Sequence, residues 1–400
     1  MKPKGAFFEL GDVSWFLRGS LVTDCDFGPD GALWFSDWVY GWEQTGKGRV
    51  YRAFEPETTR SALVAETRTL LAAGMDGRGP GSRTEDELFE LLGHPDQRVR
   101  QEAHFALAER GDPGRLATLA LSGGPHLFAR LHAVWALGIA LRRWANAGGA
   151  LLAACEASDQ NVKNSLPPSS EAAEVRAQAI RVLGDACWAD AAPMVVRRLS
   201  DPSPRVRFFA ALASGRLAAP KAIDPLRKIL VDAGTQDPNL RHAAVMGLVG
   251  CASAAELDRL SADPDRDVRL GALLAMRHHC AWRGFEPMHT SGRQPELIEA
   301  QKHAALSLPR FLLDEDPQLV LEAARAIHDL PIEPALESLA KARVGKEQFV
   351  VGERALVRRV LNANYRLGRA DTLASYAERA DLSLESRLEA LDMLAHFEKP

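Results

Sequence analysis

A short pattern that recurs about every 30 residues constrains the fold of this 400-residue chain. An apolar residue is followed by Arg, then three positions later by Ala, and three positions after that by a second small residue. Self-similarity at such a period is the signature of a solenoid, in which each repeat buries its apolar face against its neighbours. The nine copies start at Val99, Ala129, Val175, Val206, Leu240, Val268, Leu319, Val357 and Ser386.

The spacing within the unit predicts an α-helix. Its first, fifth and eighth positions share one helix face, and alanine there lets neighbouring helices approach closely. A turn such as HPDQ, DPSP or DEDPQ precedes the copies, so that Pro ends one helix and Asp caps the next. We expect caps at Asp96, Asp201, Asp237, Asp263 or Asp267, and Asp316. The prediction is a mainly α fold, a HEAT-type α-solenoid of about nine helical repeats.

An arginine follows the first position in eight of the nine copies. We interpret it as a structural ladder of partly buried ion pairs with the acidic turn of the next repeat, which would fix the stacking register. A row of arginines that binds an anionic ligand is the alternative, and the abundant neighbouring Asp disfavours it. The ladder consists of Arg100, Arg130, Arg176, Arg207, Arg241, Arg269, Arg358 and Arg387.

Two steps between copies, of 46 and 51 residues, are longer than the others. They locate insertions near 144–174 and 278–308, and loops of this size often carry binding specificity. The composition also divides the chain. Residues 1–55 predict a β-meander, residues 56–85 a helix and a Gly-rich linker, and residues 86–400 the solenoid with its two insertions.

The N-terminal segment is rich in aromatic residues, Gly and Asp. We predict strands at Val22–Phe27, Ala32–Trp38 and Arg49–Phe54, with a tight turn at Gly28–Gly31. An isolated meander is marginally stable and leaves its edges open. Four tryptophans are therefore expected to pack against further β-structure, with a ligand-stacking surface as the alternative: Trp15, Trp34, Trp38 and Trp42.

The charge balance gives no electrostatic footprint for a nucleic acid or an anionic membrane surface. There are 49 basic and 53 acidic residues, for a formal net charge of −4. No apolar run reaches the length of a membrane span, and the N-terminus lacks the apolar core of a signal peptide. The five cysteines form no CxxC or CxxCH, so a disulfide framework, a zinc ribbon and c-type haem attachment are unsupported. We expect no partner nucleic acid and no direct membrane insertion.

The weak metal candidates are three closely spaced carboxylates, Asp24, Asp26 and Asp30. Their spacing resembles the start of an EF-hand loop, but Phe35 stands where the last ligand, a Glu, is required. Strand ends and a turn explain these residues better than calcium does.

The other metal-like group is His278-His279-Cys280, with His289 and His303 farther along the chain. Adjacent histidines on a helix point about 100° apart and do not easily bind one ion. Trp135, on a repeat helix, is expected to be a core residue. The sequence predicts no catalytic, cofactor-binding or metal-binding residue.

Several segments resemble one bacterial family. DCDFGPDGALWFSDWVYGWEQTGKGRVYR is similar to the closing strands of a β-propeller blade in the membrane-bound dehydrogenases of planctomycete-type bacteria, whose propellers resemble those of glucose/sorbosone dehydrogenases. The segments LLGHPDQRVRQEAHFALAERG, RLHAVWALG, LEAARAIHDLPI and RRVLNANYRLG are similar to that family's HEAT region, of the PBS-lyase-like class. The resemblance covers essentially the whole chain and identifies the last propeller strands and the HEAT region.

This resemblance implies a function. In the family an exported propeller, which binds a quinone cofactor and oxidises a sugar-like substrate, precedes the HEAT region, and a c-type haem domain commonly follows. We therefore expect a fragment, a split gene or a mis-called start, exported or periplasmic, whose quinone and haem are held by other domains. The expected function is a scaffold that binds a protein partner without turnover.

Two alternatives stay open. The chain could be a subunit of an active quinone-dependent dehydrogenase, completed at the open edge of Val22–Phe27 by the missing propeller blades. A lyase-like HEAT protein that handles bilin chromophores ranks last, because such a protein would be expected to lack the blade segment.

Overall fold

The computed structural model shows a mainly helical protein with a small antiparallel sheet at its N-terminus, as predicted. It describes residues 2–39, 46–75, 83–121, 126–144, 146–162, 170–281, 294–344 and 353–397. The chain forms two compact units, Met1–Ala191 and Ala192–Pro400. Across the described ranges, no helix is both long enough and apolar enough to cross a membrane.

The described part of the first unit contains five strands. A hairpin of β1 (Lys2–Lys4) and β2 (Phe7–Glu9), which the sequence did not predict, precedes the meander of β3 (Val22–Phe27), β4 (Leu33–Asp37) and β5 (Arg49–Ala53). The meander is antiparallel in the order β3-β4-β5. The three predicted strands are confirmed.

The turn between β3 and β4 forms where Pro and Gly predict it. The Gly31 amide donates to the Gly28 carbonyl at 3.0 Å, and the Gly28 amide donates to the Ala32 carbonyl at 2.8 Å. Gly31 has φ +73°, a conformation that favours glycine. The end of β4 is held by Asp37, whose buried carboxylate accepts from the Leu21 amide at 3.0 Å.

The meander is attached to the first helical repeat. Arg98 donates to the carbonyl of Phe27 at 2.7 Å and also bonds the carboxylate of Asp96. A Cβ on Gly31 would lie 2.9 Å from a methyl group of Val64, so this glycine also permits close packing against a helix. Hydrogen bonding and close packing therefore fix the sheet on the helices of its own unit.

The first unit contains two helices before the repeats and then three helical pairs. The leading helices are α1 (Pro56–Thr59) and α2 (Ala62–Ala73). The predicted Gly-rich linker lies mostly at residues 76–82, outside the described residues. The pairs are α3 (Glu85–Leu91) with α4 (Gln97–Arg110), α5 (Pro113–Leu121) with α6 (Leu127–Ala140), and α7 (Asn146–Val162) with α8 (Ser170–Asp185).

The second unit contains six pairs. They are α9 (Ala192–Arg198) with α10 (Pro204–Arg216), α11 (Ile223–Ala233) with α12 (Pro238–Cys251), α13 (Ala254–Ser261) with α14 (Arg266–Ala281), α15 (Gln294–Ser307) with α16 (Pro317–Asp329), α17 (Glu333–Ala340) with α18 (Glu353–Arg366), and α19 (Ala370–Glu378) with α20 (Leu384–Ala395).

All nine predicted start positions lie near the N-terminus of the second helix of a pair, and all nine are buried. The fifth positions are also buried, for example Ala103, Ala133 and Ala272. The prediction of about nine helical repeats is confirmed, and their core is the row of small and aliphatic residues along the second helices.

The helix N-caps lie in the predicted turns, but in two of these turns the N-cap is a different residue from the predicted Asp. Asp96, Asp237 and Asp316 are N-caps whose side chains accept main-chain N–H groups. The α14 amides of Asp267 and Val268 donate to Asp265 instead of to Asp263 or to Asp267. Asp263 and Asp201 lie two residues earlier in their turns, where they accept the amides of Asp265 and Ser203 at 2.9 Å. A D-x-D or D-x-S turn therefore contains both a turn residue and a cap, and spacing alone does not distinguish them.

The two predicted insertions contain helix as well as loop. The first includes all of α7, the 17-residue first helix of its pair, and the second includes all of α15. Their remaining parts, at residues 163–169 and 282–293, lie outside the described residues.

Glycine sets the distance between α10 and α12. A Cβ on Gly250 would lie 2.0 Å from the carbonyl oxygen of Gly215, and a Cβ on Gly247 would lie 2.8 Å from the carbonyl oxygen of Ala211. A flexible side chain could change its rotamer to make room for a Cβ, but main-chain atoms cannot. Any larger residue at these positions must separate the two helices.

We predict that Gly250→Ala lowers the free energy of unfolding by on the order of 3 kcal/mol, because overpacking against main chain cannot relax locally. Urea titration followed by circular dichroism would measure it. The matched control is Gly149→Ala in α7, where a Cβ meets nothing within 4 Å. The control should be neutral or stabilising by up to about 1 kcal/mol. Equal losses in both variants would contradict the close approach of α10 and α12.

Candidate functional site

Most of the repeat arginines donate to main-chain carbonyls. In four repeats the guanidinium reaches the turn before its own helix, at distances of 2.6–3.4 Å. These are Arg100 to His94, Arg207 to Asp201, Arg241 to Gly234 and Arg269 to Asp263. Arg130 and Arg387 donate in the same way to the carbonyls of Ala120 and Ala377. Arg176 is buried on α8.

The ladder of ion pairs between repeats stays a prediction, and these hydrogen bonds give the arginines a further role within their own repeat. Side chains on a helix point toward its N-terminus, so an arginine near the first turn reaches back over the preceding turn. The carbonyls of such a turn lack helical N–H partners, and the guanidinium supplies donors for them. The arginines therefore mainly join the two helices of one repeat.

Arg269 and Arg358 form ion pairs with the next repeat. Arg269 holds Asp314 with two hydrogen bonds of 2.8 and 3.1 Å, and these hydrogen bonds raise the pKa of Arg269 above its usual value. Arg358 pairs with Glu389 at 2.9 Å. The two environments differ strongly, because the Arg269 side chain is 10% exposed and the Arg358 side chain is 69% exposed.

The sheet residues considered for metal binding are engaged in other contacts. Asp24 and Asp26 accept the amides of Cys25 and Phe27 at the exposed strand β3. Burial alone would raise the pKa of Asp30, but hydrogen bonds from Arg52, Trp34 and the Ala32 amide lower it to about 2. Within the described ranges no group of three His, Cys, Asp or Glu side chains could hold a metal ion.

The sheet and the segment before it carry an exposed aromatic surface. Trp15 is 78% exposed and Phe16 is 75% exposed, and Phe27, Trp34 and Trp38 are exposed as well. Trp42 lies outside the described residues. The described residues leave these aromatic side chains uncovered, whereas Phe35 on the central strand is buried and stacks on Tyr51 at 5.1 Å.

The histidine group of α14 lies beside a cavity of the second unit. His279 and Cys280 are buried, and burial raises the pKa of the Cys280 thiol to about 11. His279 and His303 line a cavity of about 550 Å³, and His303 lies 3.2 Å from the Asp258 carboxylate. His289 lies outside the described residues. A thiol with a raised pKa is a poor nucleophile, so this group does not indicate catalysis.

Two buried histidines of the first unit were not predicted from the sequence. Arg100 Nε donates to His132 Nε2 at 3.3 Å, and His132 Nδ1 lies 2.8 Å from His104 Nδ1. Because Arg can only donate, Nε2 of His132 is the acceptor in this hydrogen bond. A neutral His132 therefore carries its proton on Nδ1 and donates it to His104. His104 is then protonated on Nε2. The only signal in the sequence for this pair is that His104 on α4 and His132 on α6 each stand close to small residues of the repeat.

Both rings are neutral in the folded protein. Burial lowers the pKa of His104 to about 4. Burial, together with the nearby His104 and Arg100, lowers the pKa of His132 to about 3. Trp135, predicted as core, is half-buried beside these rings, where its indole N–H donates to Gln178 at 3.2 Å.

We predict that Arg269→Lys lowers the free energy of unfolding by about 1–3 kcal/mol, because lysine cannot bond both oxygens of Asp314 and the turn carbonyls together. Urea titration gives the value. Arg358→Lys, the same substitution at the same repeat position, should change it by less than about 0.5 kcal/mol, since that pair is exposed. A larger loss at Arg358 than at Arg269 would refute this assignment.

The neutral histidines predict loss of stability in acid. An unfolded histidine binds a proton below pH about 6.5, whereas these folded rings do so only near pH 3–4. Falling pH therefore favours the unfolded state from pH 6.5 downward, by on the order of 2 kcal/mol per ring at pH 5. The difference in unfolding free energy between pH 7 and pH 5 should shrink in a His104→Leu, His132→Leu double variant.

The control for this experiment is His396→Gln, which replaces an exposed histidine at the end of α20. This variant should keep the full difference between pH 7 and pH 5. An unchanged difference in the double variant would show that other groups cause the acid sensitivity.

Comparison with known proteins supports the repeat type. The family model of HEAT repeats matches residues 168–249. The phycocyanin lyase complex of CpcE and CpcF from Nostoc is 17% identical and covers 80% of this chain and 96% of its own, with a TM-score of 0.31. An archaeal HEAT-like repeats protein from Thermococcus onnurineus is 16% identical and covers 71% of this chain and 96% of its own, with a TM-score of 0.31.

Human deoxyhypusine hydroxylase is 20% identical and covers 78% of this chain and 96% of its own, with a TM-score of 0.25. At these scores the likeness to solved structures carries no functional argument. No curated protein matches the sequence. The matched residues and the helical pairs together identify a scaffold-type protein of HEAT repeats with a small N-terminal sheet.

Proposed function

We propose that this protein is a HEAT-repeat scaffold that holds its N-terminal sheet against further β-structure, as part of, or derived from, a sugar-type membrane-bound dehydrogenase linked to c-type haem. The observation that carries the proposal is the exposed aromatic surface of the sheet. Clusters of exposed large apolar side chains often mark a binding surface. The proposed location, as in the family that the sequence resembles, is exported or periplasmic.

The edge of the sheet supports this proposal. Strand β3 pairs with β4 on one side, and among the described residues no strand pairs on its other side. Unpaired N–H and C=O groups on such an edge are a template for another strand. Phe27 and Cys25 lie exposed on the face that contains the buried Phe35, so an added strand would extend an apolar face.

The c-type haem of the resembled family does not fit the cysteines of this chain. Covalent haem attachment needs a CxxCH, and the five cysteines lie in no such motif. Two of them, Cys155 and Cys280, are buried in helical repeats. We assign neither this haem nor the quinone of the family to residues 1–400 and propose that other domains hold both.

An active enzyme completed by separate propeller blades is the second candidate. The open β3 edge favours it, because the blades would dock there. It differs from the scaffold proposal in requiring turnover of a sugar-type substrate by the assembled complex, with catalytic residues that lie in the blades.

The first test is the DNA on either side of the gene. The proposal expects a frame for an export signal and propeller blades upstream, and a CxxCH downstream. Unrelated neighbours on both sides would remove the dehydrogenase part of the proposal.

The second test uses the blades that such a frame encodes. Mixed with the full chain, they should slow hydrogen exchange of the amides of β3, and Phe27→Lys should weaken binding at least tenfold because it places a charge at the contact edge. Val231→Lys, on an exposed apolar position of α11, should have no effect. Unchanged exchange in β3, or equal effects of the two variants, would exclude docking at this edge. Sugar oxidation by the mixture, absent with either part alone, would favour the second candidate.

A further inference from the structure

The first unit contains a cavity between the second helices of its repeats. It has a volume of about 410 Å³, and its lining comes from α4, α6 and α8 and the turns that follow α6 and α8. A Cβ on Gly138 would lie 2.2 Å from a methyl group of Val182, so α6 and α8 touch at this glycine on the wall of the cavity. The size is in the range of binding sites for small ligands or for a few side chains.

One polar group of the cavity is His104. The ring is 6% exposed, and its Nδ1 is occupied by the hydrogen bond with His132. The chain of donors from Arg100 through His132 leaves the proton of His104 on Nε2, as derived above. His104, which lines the cavity, therefore carries a fixed N–H donor on Nε2, and such a donor selects an acceptor.

The charges of the lining favour an anion. Arg181 pairs with Asp185 at 3.5 Å within α8, so these two charges balance each other. Arg142 also lines the cavity, just after the end of α6, and in the described part of the chain no carboxylate pairs with it. Because His104 is neutral, the residues that line the cavity carry one net positive charge, that of Arg142.

The rest of the lining is apolar. Trp135 is half-buried, and its ring packs edge-on against His132 at 4.8 Å, which fixes its position. Ile139 is exposed toward solvent, and Val182 is half-buried. A ligand that fits these surfaces combines one carboxylate with a neighbouring aliphatic group.

We propose that this cavity, defined by His104, Trp135, Ile139, Arg142 and Val182, binds a short segment of a partner polypeptide in which an acidic side chain lies next to an apolar one. The carboxylate accepts from His104 Nε2–H and pairs with Arg142, while the aliphatic group packs on Trp135 and Ile139. The cavity lies between helices of the first unit and does not involve the sheet. The proposal is therefore independent of the dehydrogenase and of docking at β3.

The test is isothermal titration calorimetry of the full chain with the capped peptide acetyl-Ser-Leu-Glu-Leu-Ser-amide. The same peptide with Gln in place of Glu should bind at least about tenfold more weakly, the size expected for a lost charge-assisted hydrogen bond. Arg142→Gln should weaken binding of the Glu peptide by a similar factor.

Arg143→Gln is the matched control, because it removes the same charge one residue away. Arg143 does not line the cavity and faces Glu109 at 4.0 Å. This variant should bind within about twofold of the wild type. Equal binding of the Glu and Gln peptides, equal effects of the two arginine variants, or no binding of the Glu peptide at millimolar concentration would overturn the proposal.

A spectroscopic measurement avoids variants that disturb folding. In nitrogen-15 spectra of the histidine rings, the Glu peptide should shift the Nε2–H signal of His104, and the Gln peptide should shift it much less. An unmoved His104 signal at saturating Glu peptide would overturn the role of this ring. Binding only of acetyl-Ser-Leu-Leu with a free C-terminal carboxylate would exclude an internal acidic segment.

Discussion

The close approach of neighbouring second helices is the constraint on which the repeats depend. Within each unit these helices meet through small residues, and at the crossing of α10 and α12 the main chains nearly touch at Gly215 and Gly250. Such contacts tolerate almost no added volume, because main-chain atoms cannot change rotamer. Alanine and glycine at these positions therefore define how closely each repeat packs on the next.

Polar groups of the repeats are then satisfied around this packing. The turn before each second helix leaves carbonyl groups without helical partners, and the repeat arginines donate to them. This explains why arginine recurs where lysine would bring the same charge, since a guanidinium has five donors in a fixed plane and can bond two carbonyls and a carboxylate together. Arg269 does so, whereas Arg358 forms an exposed pair.

Two surfaces carry the proposals made for this protein. The sheet leaves aromatic residues uncovered beside an open strand edge, and the cavity of the first unit combines a fixed histidine donor, an unbalanced arginine and an apolar wall. A packed repeat needs neither feature for its own stability. Both lie on elements held by close packing, so their polar and apolar groups keep fixed positions relative to each other within the first unit.

The sequence by itself determined the three-stranded meander, the type of the repeat and the repeat number. Alternation, turn residues and the 30-residue period depend on local chemistry, and for that reason the meander and the nine pairs agree with the structure. Partners across the fold were decided by tertiary structure. The arginines were predicted to pair with the next repeat, and six of them donate to main-chain carbonyls of their own repeat, because side-chain direction on the helix controls their reach. His104 and His132 are 28 residues apart in sequence and meet only when α4 packs on α6.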